Sequence, residues 1–138
     1  MTDTFQLEIV TPEKMVVRDN AESIQIPGLN GQLGVLPGHA PLITELGAGE
    51  IAYRANGQSY RFSVAWGFAE VLQDRVTVLA ETAEHADEID VPRAQRALAD
   101  AEQSLKSAQT EDDFARATAK IRVAQARIEV AQKKDSPA

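Results

Sequence analysis

The N-terminal part of the chain shows the alternating pattern of half-buried β-strands. Apolar residues occupy every second position at Phe5, Leu7 and Ile9, and the alternation returns at Ile24 and Ile26. A period of two places apolar side chains on one face of a strand. Frequent glycines and prolines separate these runs. Many short strands with turns between them predict an antiparallel sandwich or barrel.

Two β-hairpins are predicted in the middle of the chain. Asn56 and Gly57 separate two strand-like runs, residues 50–54 and 59–64. A type I′ turn needs positive φ at both central residues, and this dipeptide adopts that conformation readily. Residues 68–79 repeat the arrangement, with two apolar, β-branched runs around a polar pair.

The pattern changes to a helical one near residue 87. Asp90 is a good N-cap, Pro92 falls in the first turn, and Thr110 caps a second helix. Apolar residues then recur at spacings of three and four, which predicts an antiparallel helical hairpin. The first stripe contains Ala94, Leu98, Ala101, Leu105 and Ala108, and the second contains Phe114, Ala117, Ile121, Ala124, Ile128 and Ala131. We therefore divide the chain into residues 1–86 and 87–138.

Most of the stripe residues are alanine, and this limits how tightly the hairpin is held. Burying one methyl group contributes about 0.8 kcal/mol, against about 1.5–3 kcal/mol for a leucine or isoleucine side chain. High helix propensity folds such a hairpin, while packing holds it only lightly. Both a moving element and a static helical cap are consistent with this pattern.

Composition and charge exclude several classes of function. The chain has 138 residues and no cysteine, so disulfides, thiolate metal sites and cysteine nucleophiles are excluded. The net charge of −7 argues against nucleic-acid binding. No apolar run approaches the roughly 18 residues of a membrane span, and the first residues do not resemble a signal peptide. Residues 1–88 carry −8 and residues 89–138 carry +1, which suggests two parts with different partners.

The second helix carries a basic edge as well as an apolar one. Arg116, Lys120, Arg127 and Lys134 fall within about 40° of one line on a helical projection. A solvated face and a surface that meets an acidic partner both explain this edge.

The sequence contains few candidate catalytic residues. The histidines are His39 and His85, and there is no nucleophile-elbow motif. His85 lies in the acidic segment 84–88, where a solvated linker is favoured over a weak metal site. Gly28, Gly31 and Gly34 resemble a phosphate loop only superficially, because neither a helix start nor a lysine follows them. From chemistry alone, His39 either hydrogen-bonds within its rigid corner or faces a partner.

Four stretches resemble one known family. Residues 31–42 read Gly-Gln-Leu-Gly-Val-Leu-Pro-Gly-His-Ala-Pro-Leu and closely resemble the signature loop of the epsilon subunit of bacterial and chloroplast F-type ATP synthases. Residues 7–12, 67–80 and 89–94 agree with that family in order and spacing. The resemblance covers essentially the whole chain.

The resemblance implies a β-sandwich of about ten antiparallel strands followed by a C-terminal helical hairpin. It implies a non-catalytic rotor subunit of a proton-translocating enzyme, without nucleic acid and without direct membrane insertion. The expected location is peripheral, on the cytoplasmic face of the bacterial plasma membrane. The expected partners are the membrane c-ring, at Gly31, Gln32, Leu33 and Gly34, and the gamma subunit, at Gly38 and His39.

In this family the hairpin either folds against the sandwich or extends toward the catalytic head, where it suppresses ATP hydrolysis. The basic edge matches such a role. We expect Arg116, Lys120 and Arg127 to contact the catalytic alpha and beta subunits. A free-standing nucleotide-sensing or adaptor module is the alternative function.

Some members of the family bind ATP on the folded hairpin. The motif positions are present here as Ile89, Asp90, Arg93, Ala94 and, on the second helix, Arg127. Two other positions depart from the ATP-binding pattern, since Asp100 and Val123 replace arginines. Phosphate sites depend on positive charge, so weak or absent ATP binding is expected, with no other cofactor. Trp66 replaces a glycine that is common in the family, and the sequence offers no reason for it.

Overall fold

In the part of the chain that the structure describes, the first 85 residues form seven strands of 5 to 14 residues. The computed structural model describes residues 3–133 and the backbone of residues 136–137. The strands are β1 (Phe5–Val10), β2 (Met15–Ala21), β3 (Ser23–Gly28), β4 (Gly31–Val35), β5 (Leu42–Ala55), β6 (Gln58–Val71) and β7 (Arg75–His85).

These strands form one sheet that folds back on itself. Their order is β2-β1-β7-β6-β5-β3-β4, and only β1 and β7 pair in parallel. The hydroxyl of Tyr53 on β5 donates to Oδ2 of Asp19 on β2 over 3.3 Å, although these strands are not neighbours in the sheet. Two layers therefore face each other, and the predicted sandwich is confirmed.

The expected number of about ten strands was wrong. The sandwich has seven, and one two-residue strand, β8 (Ser136–Pro137), is added to β6. The count is lower because β5 and β6 are each 14 residues long and continue through a bend. Their pairing skips Gly47 and Trp66 at this point, and both Trp66 and Gly67 have positive φ.

The core of the sandwich follows the period-two pattern. Phe5, Leu7 and Ile9 are all almost completely buried, as their alternation predicted. The Asn56-Gly57 turn has φ of 55° and 74°, which confirms a turn with two positive φ values. The other fully buried large residues of this core are Ile24, Ile26, Leu46, Ile51, Val64, Val71, Val76 and Val78.

The second part of the chain is the predicted helical hairpin. A short 3₁₀ turn (Ala86–Glu88) leads to α1 (Val91–Ser107) and then to α2 (Glu111–Lys133). Oδ1 of Asp90 accepts from the backbone N–H of Arg93 over 3.1 Å, and Oγ1 of Thr110 accepts from that of Asp113 over 3.0 Å. Both predicted N-caps are confirmed.

The two helices pack on each other, and α2 also contacts β5 and β6. The expected stripe on α2 was only partly right. Ala117 and Ala124 are buried, but the side chain of Phe114 is 57% exposed. Phe114 lies in the first turn of α2, close to the loop that joins the two helices. Lys134 of the predicted basic edge lies outside the described residues. Among the residues that the structure describes, no helix is long and apolar enough to cross a membrane.

Candidate interaction surfaces

The glycine-rich run forms an exposed edge of the sheet. Strand β4 pairs with β3 alone, through a tight turn in which Gly31 has a φ of 136°. Gly31, Gln32 and Gly34 are exposed, while Leu33 is half-buried against the core. The run therefore offers backbone groups and one amide side chain at the edge, anchored by Leu33.

The His39 corner is held by backbone hydrogen bonds. The N–H of Gly38, a residue with φ of 85°, donates to the carbonyl of Gln73 over 2.8 Å. Nδ1 of His39 lies 2.7 Å from the carbonyl oxygen of Ala40. A carbonyl can only accept, so Nδ1 carries a proton in this contact. The corner is structurally ordered and presents a half-buried imidazole at the surface.

An exposed apolar face lies at the same end of the sandwich. Phe68 and Leu79 are directly paired on β6 and β7, and Ile43 lies two positions before Glu45, the partner of Phe68 on β5. Their exposed fractions are 52%, 53% and 70%. The sequence analysis missed this face. The sequence contained a signal for it, because Phe68 and Leu79 are apolar residues at positions where the alternation of their strands places side chains on the outer face.

A cavity of about 470 Å³ lies between the hairpin and the bend in the sandwich. It is lined by residues from both helices together with Trp66, whose φ of 58° belongs to the bend. The structure brings the three described residues of the basic edge together here, namely Arg116, Lys120 and Arg127. Asp100 and Val123 also line it. Trp66, for which the sequence offered no reason, thus connects the sandwich to the hairpin groove.

Arg127 is already paired within the chain. Its Nε donates to Oε1 of Glu84 over 2.6 Å, and its Nη2 donates to Oε2 over 3.2 Å. Such a bidentate pair is the strongest geometry available to a guanidinium and a carboxylate. Any anion or acidic partner of Arg127 must compete with Glu84.

The remaining residues of the nucleotide motif lie at the start of α1. Ile89 is buried with Ala86, Val130 and Ala131, Asp90 caps the helix, and Arg93 is exposed. Ala94 is fully buried, and none of these four motif residues lines the cavity that contains Arg127.

His85 was expected to lie in a solvated linker, and this prediction was wrong. It is the last residue of β7, its ring packs edge-on against Phe62 at 5.1 Å, and its Nδ1 accepts from the N–H of Asp87 over 3.2 Å. Among residues 3–133, no group of histidine and acidic side chains is arranged to hold a metal ion.

Comparison with known proteins decides the family. The family model of the ATP synthase delta/epsilon chain β-sandwich domain matches residues 4–86, and that of its long α-helix domain matches residues 87–132. The chain belongs to the ATP synthase delta/epsilon family. The epsilon chain of Koribacter versatilis is 63% identical over 107 residues, which cover 78% of this chain and 75% of that protein. The epsilon chain of Herpetosiphon aurantiacus is 46% identical over 93% of this chain and 94% of that one.

Solved structures agree with the fold. A chain in the Euglena gracilis mitochondrial ATP synthase structure of OSCP, F1 and c-ring superposes with a TM-score of 0.83 at 21% identity, covering 96% of this chain and 83% of that one. A chain in the Tetrahymena thermophila central stalk and c-ring structure gives 0.70 at 11% identity, covering 92% and 96%. The family relationship makes the chain a non-catalytic stalk subunit of ATP synthase, of the epsilon type.

Proposed function

We propose that the chain joins the gamma subunit to the c-ring in the central rotor of a proton-translocating ATP synthase. The observation that carries this proposal is the match of both family models, which together span residues 4–132. The two matched segments also support a division into a coupling domain, residues 1–86, and a regulatory domain, residues 87–138. The protein then acts as a peripheral subunit on the cytoplasmic face of the bacterial plasma membrane.

The c-ring contact is assigned to Gly31, Gln32, Leu33 and Gly34. The exposure of this edge and the anchoring of Leu33 support the assignment. An edge strand has unpaired backbone groups that hydrogen-bond to a partner, and the side chain of Gln32 adds a donor and an acceptor.

The gamma contact is assigned to the corner of Gly38 and His39 and to the neighbouring apolar face of Ile43, Phe68 and Leu79. An apolar surface exposed on a small domain indicates a protein contact. The hydrogen bond from Gly38 to Gln73 supports this arrangement, because it holds the corner against the β6–β7 turn beside that face.

The hairpin is the proposed inhibitory element, with Arg116, Lys120 and Arg127 facing the catalytic alpha and beta subunits. Arg116 and Lys120 are exposed in the folded hairpin, whereas Arg127 is paired with Glu84. Contact of Arg127 with the catalytic head therefore requires the hairpin to leave the sandwich.

ATP binding at Ile89, Asp90, Arg93, Ala94 and Arg127 is proposed to be weak, because Arg127 is engaged and Asp100 lines the adjacent cavity.

Co-purification tests the rotor function against a free-standing nucleotide-sensing or adaptor module. The tagged chain is expressed in a bacterium that lacks its own epsilon subunit, and the attached proteins are identified. Recovery of gamma, the c-ring and the catalytic subunits supports the proposal. Recovery of the chain alone, while other stalk subunits assemble normally, contradicts it.

Single substitutions test the proposed gamma contact and the proposed c-ring contact separately. Phe68→Ser should reduce binding to gamma in the detergent-free F1 complex, where the ring is absent. Gln32→Ala should leave that complex intact and weaken attachment to the ring.

Inhibition by the hairpin is tested by the ATP hydrolysis rates of the assembled enzyme with and without residues 89–138. If the hairpin inhibits, the truncated form hydrolyses ATP faster.

A further inference from the structure

The hairpin is attached to the sandwich mainly through α2. Near its end, α2 forms a small apolar cluster with the segment that links the two domains, and this cluster consists of Ala86, Ile89, Val130 and Ala131. Val130 is the only member of this cluster that is both large and fully buried. Two of the four buried residues of this cluster are alanine, so apolar burial in the cluster holds α2 only lightly.

Two acidic residues of the sandwich lie beneath α2 in one row. Glu50 on β5 is paired with Ser63 on β6, and Ser63 is paired with Glu84 on β7. Directly opposed residues of antiparallel strands lie on the same face of a sheet. The two carboxylates are therefore two strands apart, which is about 10 Å. Ser63, between them, is only 5% exposed.

Two basic residues of α2 match this row. Arg127 binds Glu84 through the two hydrogen bonds described above, and Nζ of Lys133 lies 3.6 Å from Oε2 of Glu50. Arg127 and Lys133 are six residues apart, which is a rise of about 9 Å along a helix. The axial spacing of the bases along α2 is thus close to the spacing of the acids across the strands.

The base of the Arg127–Glu84 pair is less exposed than that of an ordinary surface pair. The side chains of Arg127 and Glu84 are 18% and 35% exposed, whereas those of Lys133 and Glu50 in the second pair are 54% and 16% exposed. Oε2 of Glu50 is buried and has no hydrogen-bond partner among the described residues, while Oε1 accepts from Arg61 over 3.3 Å. In the Arg18–Glu8 pair, both of whose residues belong to the sandwich, the side chains are 66% and 21% exposed, so this pair resembles Lys133–Glu50 in exposure and is more exposed at its base than Arg127–Glu84.

We propose that Glu84 and Glu50 form a charge latch with Arg127 and Lys133, and that this latch sets the fraction of molecules in which the hairpin is folded on the sandwich. Charge pairs that are partly removed from water contribute more than exposed ones. Both pairs cross the boundary between sandwich and hairpin, so both break when α2 departs. Arg127 is either in the latch or available to another partner, and release of the hairpin makes it available.

Spin labels measure this fraction directly. The chain has no cysteine, so Asn20→Cys on the sandwich and Gln109→Cys at the hairpin turn give two unique labelling sites in the full chain. Double electron–electron resonance then reports the folded and released populations as separate distances. Glu84→Gln should raise the ratio of released to folded molecules about tenfold, and Glu50→Gln should raise it in the same direction.

Glu8→Gln is the matched control, because it removes one carboxylate charge from an ion pair that does not touch the hairpin. It should leave the distance distribution unchanged. Glu84→Arg combined with Arg127→Glu reverses the pair and should restore the folded population. The latch is a property of the chain alone, so this test is independent of the proposed contacts with gamma and the c-ring.

Salt provides a second measurement that needs no substitution. Screening shortens the range of charge interactions from about 10 Å at 0.1 M to about 3 Å at 1 M. The released fraction of the unchanged chain should therefore rise with sodium chloride, and that of the Glu84→Gln, Glu50→Gln double variant should respond less. Equal populations in Glu84→Gln and Glu8→Gln, or no recovery in the reversed pair, overturn the proposal.

Discussion

Gly67 on β6 lies against the carbonyl of Leu79 on β7 so closely that a β-carbon on Gly67 would overlap the carbonyl oxygen. Gly67 also has a φ of 126°, a conformation that other residues rarely adopt. We therefore expect Gly67→Ala to lower the free energy of unfolding by about 3 kcal/mol or more. Urea denaturation of the purified chain, followed by circular dichroism, measures this change.

Gly34→Ala is the matched control for this substitution. No atom lies within 4 Å of the position that a β-carbon on Gly34 would take, and its φ is not positive. The free energy of unfolding of Gly34→Ala should stay within about 0.5 kcal/mol of that of the unchanged chain. Equal losses in the two variants would show that the close approach to Leu79 is unimportant.

Val130 and Phe114 on α2 differ in burial, and substitution should reveal it. Val130 is fully buried where α2 meets the 3₁₀ turn, whereas Phe114 is 57% exposed. Val130→Ala should lower the free energy of unfolding by about 2 kcal/mol, since it removes two buried methyl groups and leaves a cavity. Phe114→Ala, although it removes more atoms, should change it by less than about 0.5 kcal/mol. The observed packing is contradicted if denaturation curves give Phe114→Ala a lower free energy of unfolding than Val130→Ala.

The N-cap of α1 provides a test of local helix stability. Oδ1 of Asp90 accepts the hydrogen bond from the N–H of Arg93, so Asp90→Ala should destabilise the start of α1 by about 1 kcal/mol. Asp90→Asn keeps a capping oxygen and should lose much less. Amide hydrogen exchange in residues 91–96 is the measurement, and faster exchange in Asp90→Asn than in Asp90→Ala would exclude the capping role.

Weak nucleotide binding follows from the charges around the hairpin. Arg127 is paired with Glu84, and Asp100 adds a negative charge to the nearby cavity. Isothermal titration of the chain with ATP should show no binding at micromolar concentration. Asp100→Arg combined with Val123→Arg adds the missing cations and should raise the affinity by at least about tenfold, since phosphate recognition depends on them. Micromolar affinity of the unchanged chain would contradict this prediction.

Local features were predicted well from the sequence. The caps at Asp90 and Thr110 and the turn at Asn56 and Gly57 occur as expected. Each depends on residues within a few positions of one another, so the chemistry that determines them is contained in a short stretch. The alternation at Phe5, Leu7 and Ile9 correctly identified core residues for the same reason.

The number of strands and the packing of the hairpin were not predictable in this way. β5 and β6 remain single strands because the bend at Trp66 and Gly67 lets each continue into both layers. A helical period shows which residues share a face, but it does not show how much of that face a neighbouring element covers. Phe114 therefore appeared in the apolar stripe, although it is exposed in the structure.

The sequence by itself determined the family, the sandwich followed by a helical hairpin, and the stretches proposed to meet the partners. It did so because turn, cap and periodicity signals act locally and because four motifs occur in family order. Only the tertiary structure decided that Arg127 pairs with Glu84, 43 residues away, and that Lys133 lies above Glu50. Those pairs depend on the angle at which α2 crosses β5, β6 and β7, which results from the packing of the whole sandwich against one face of the helix.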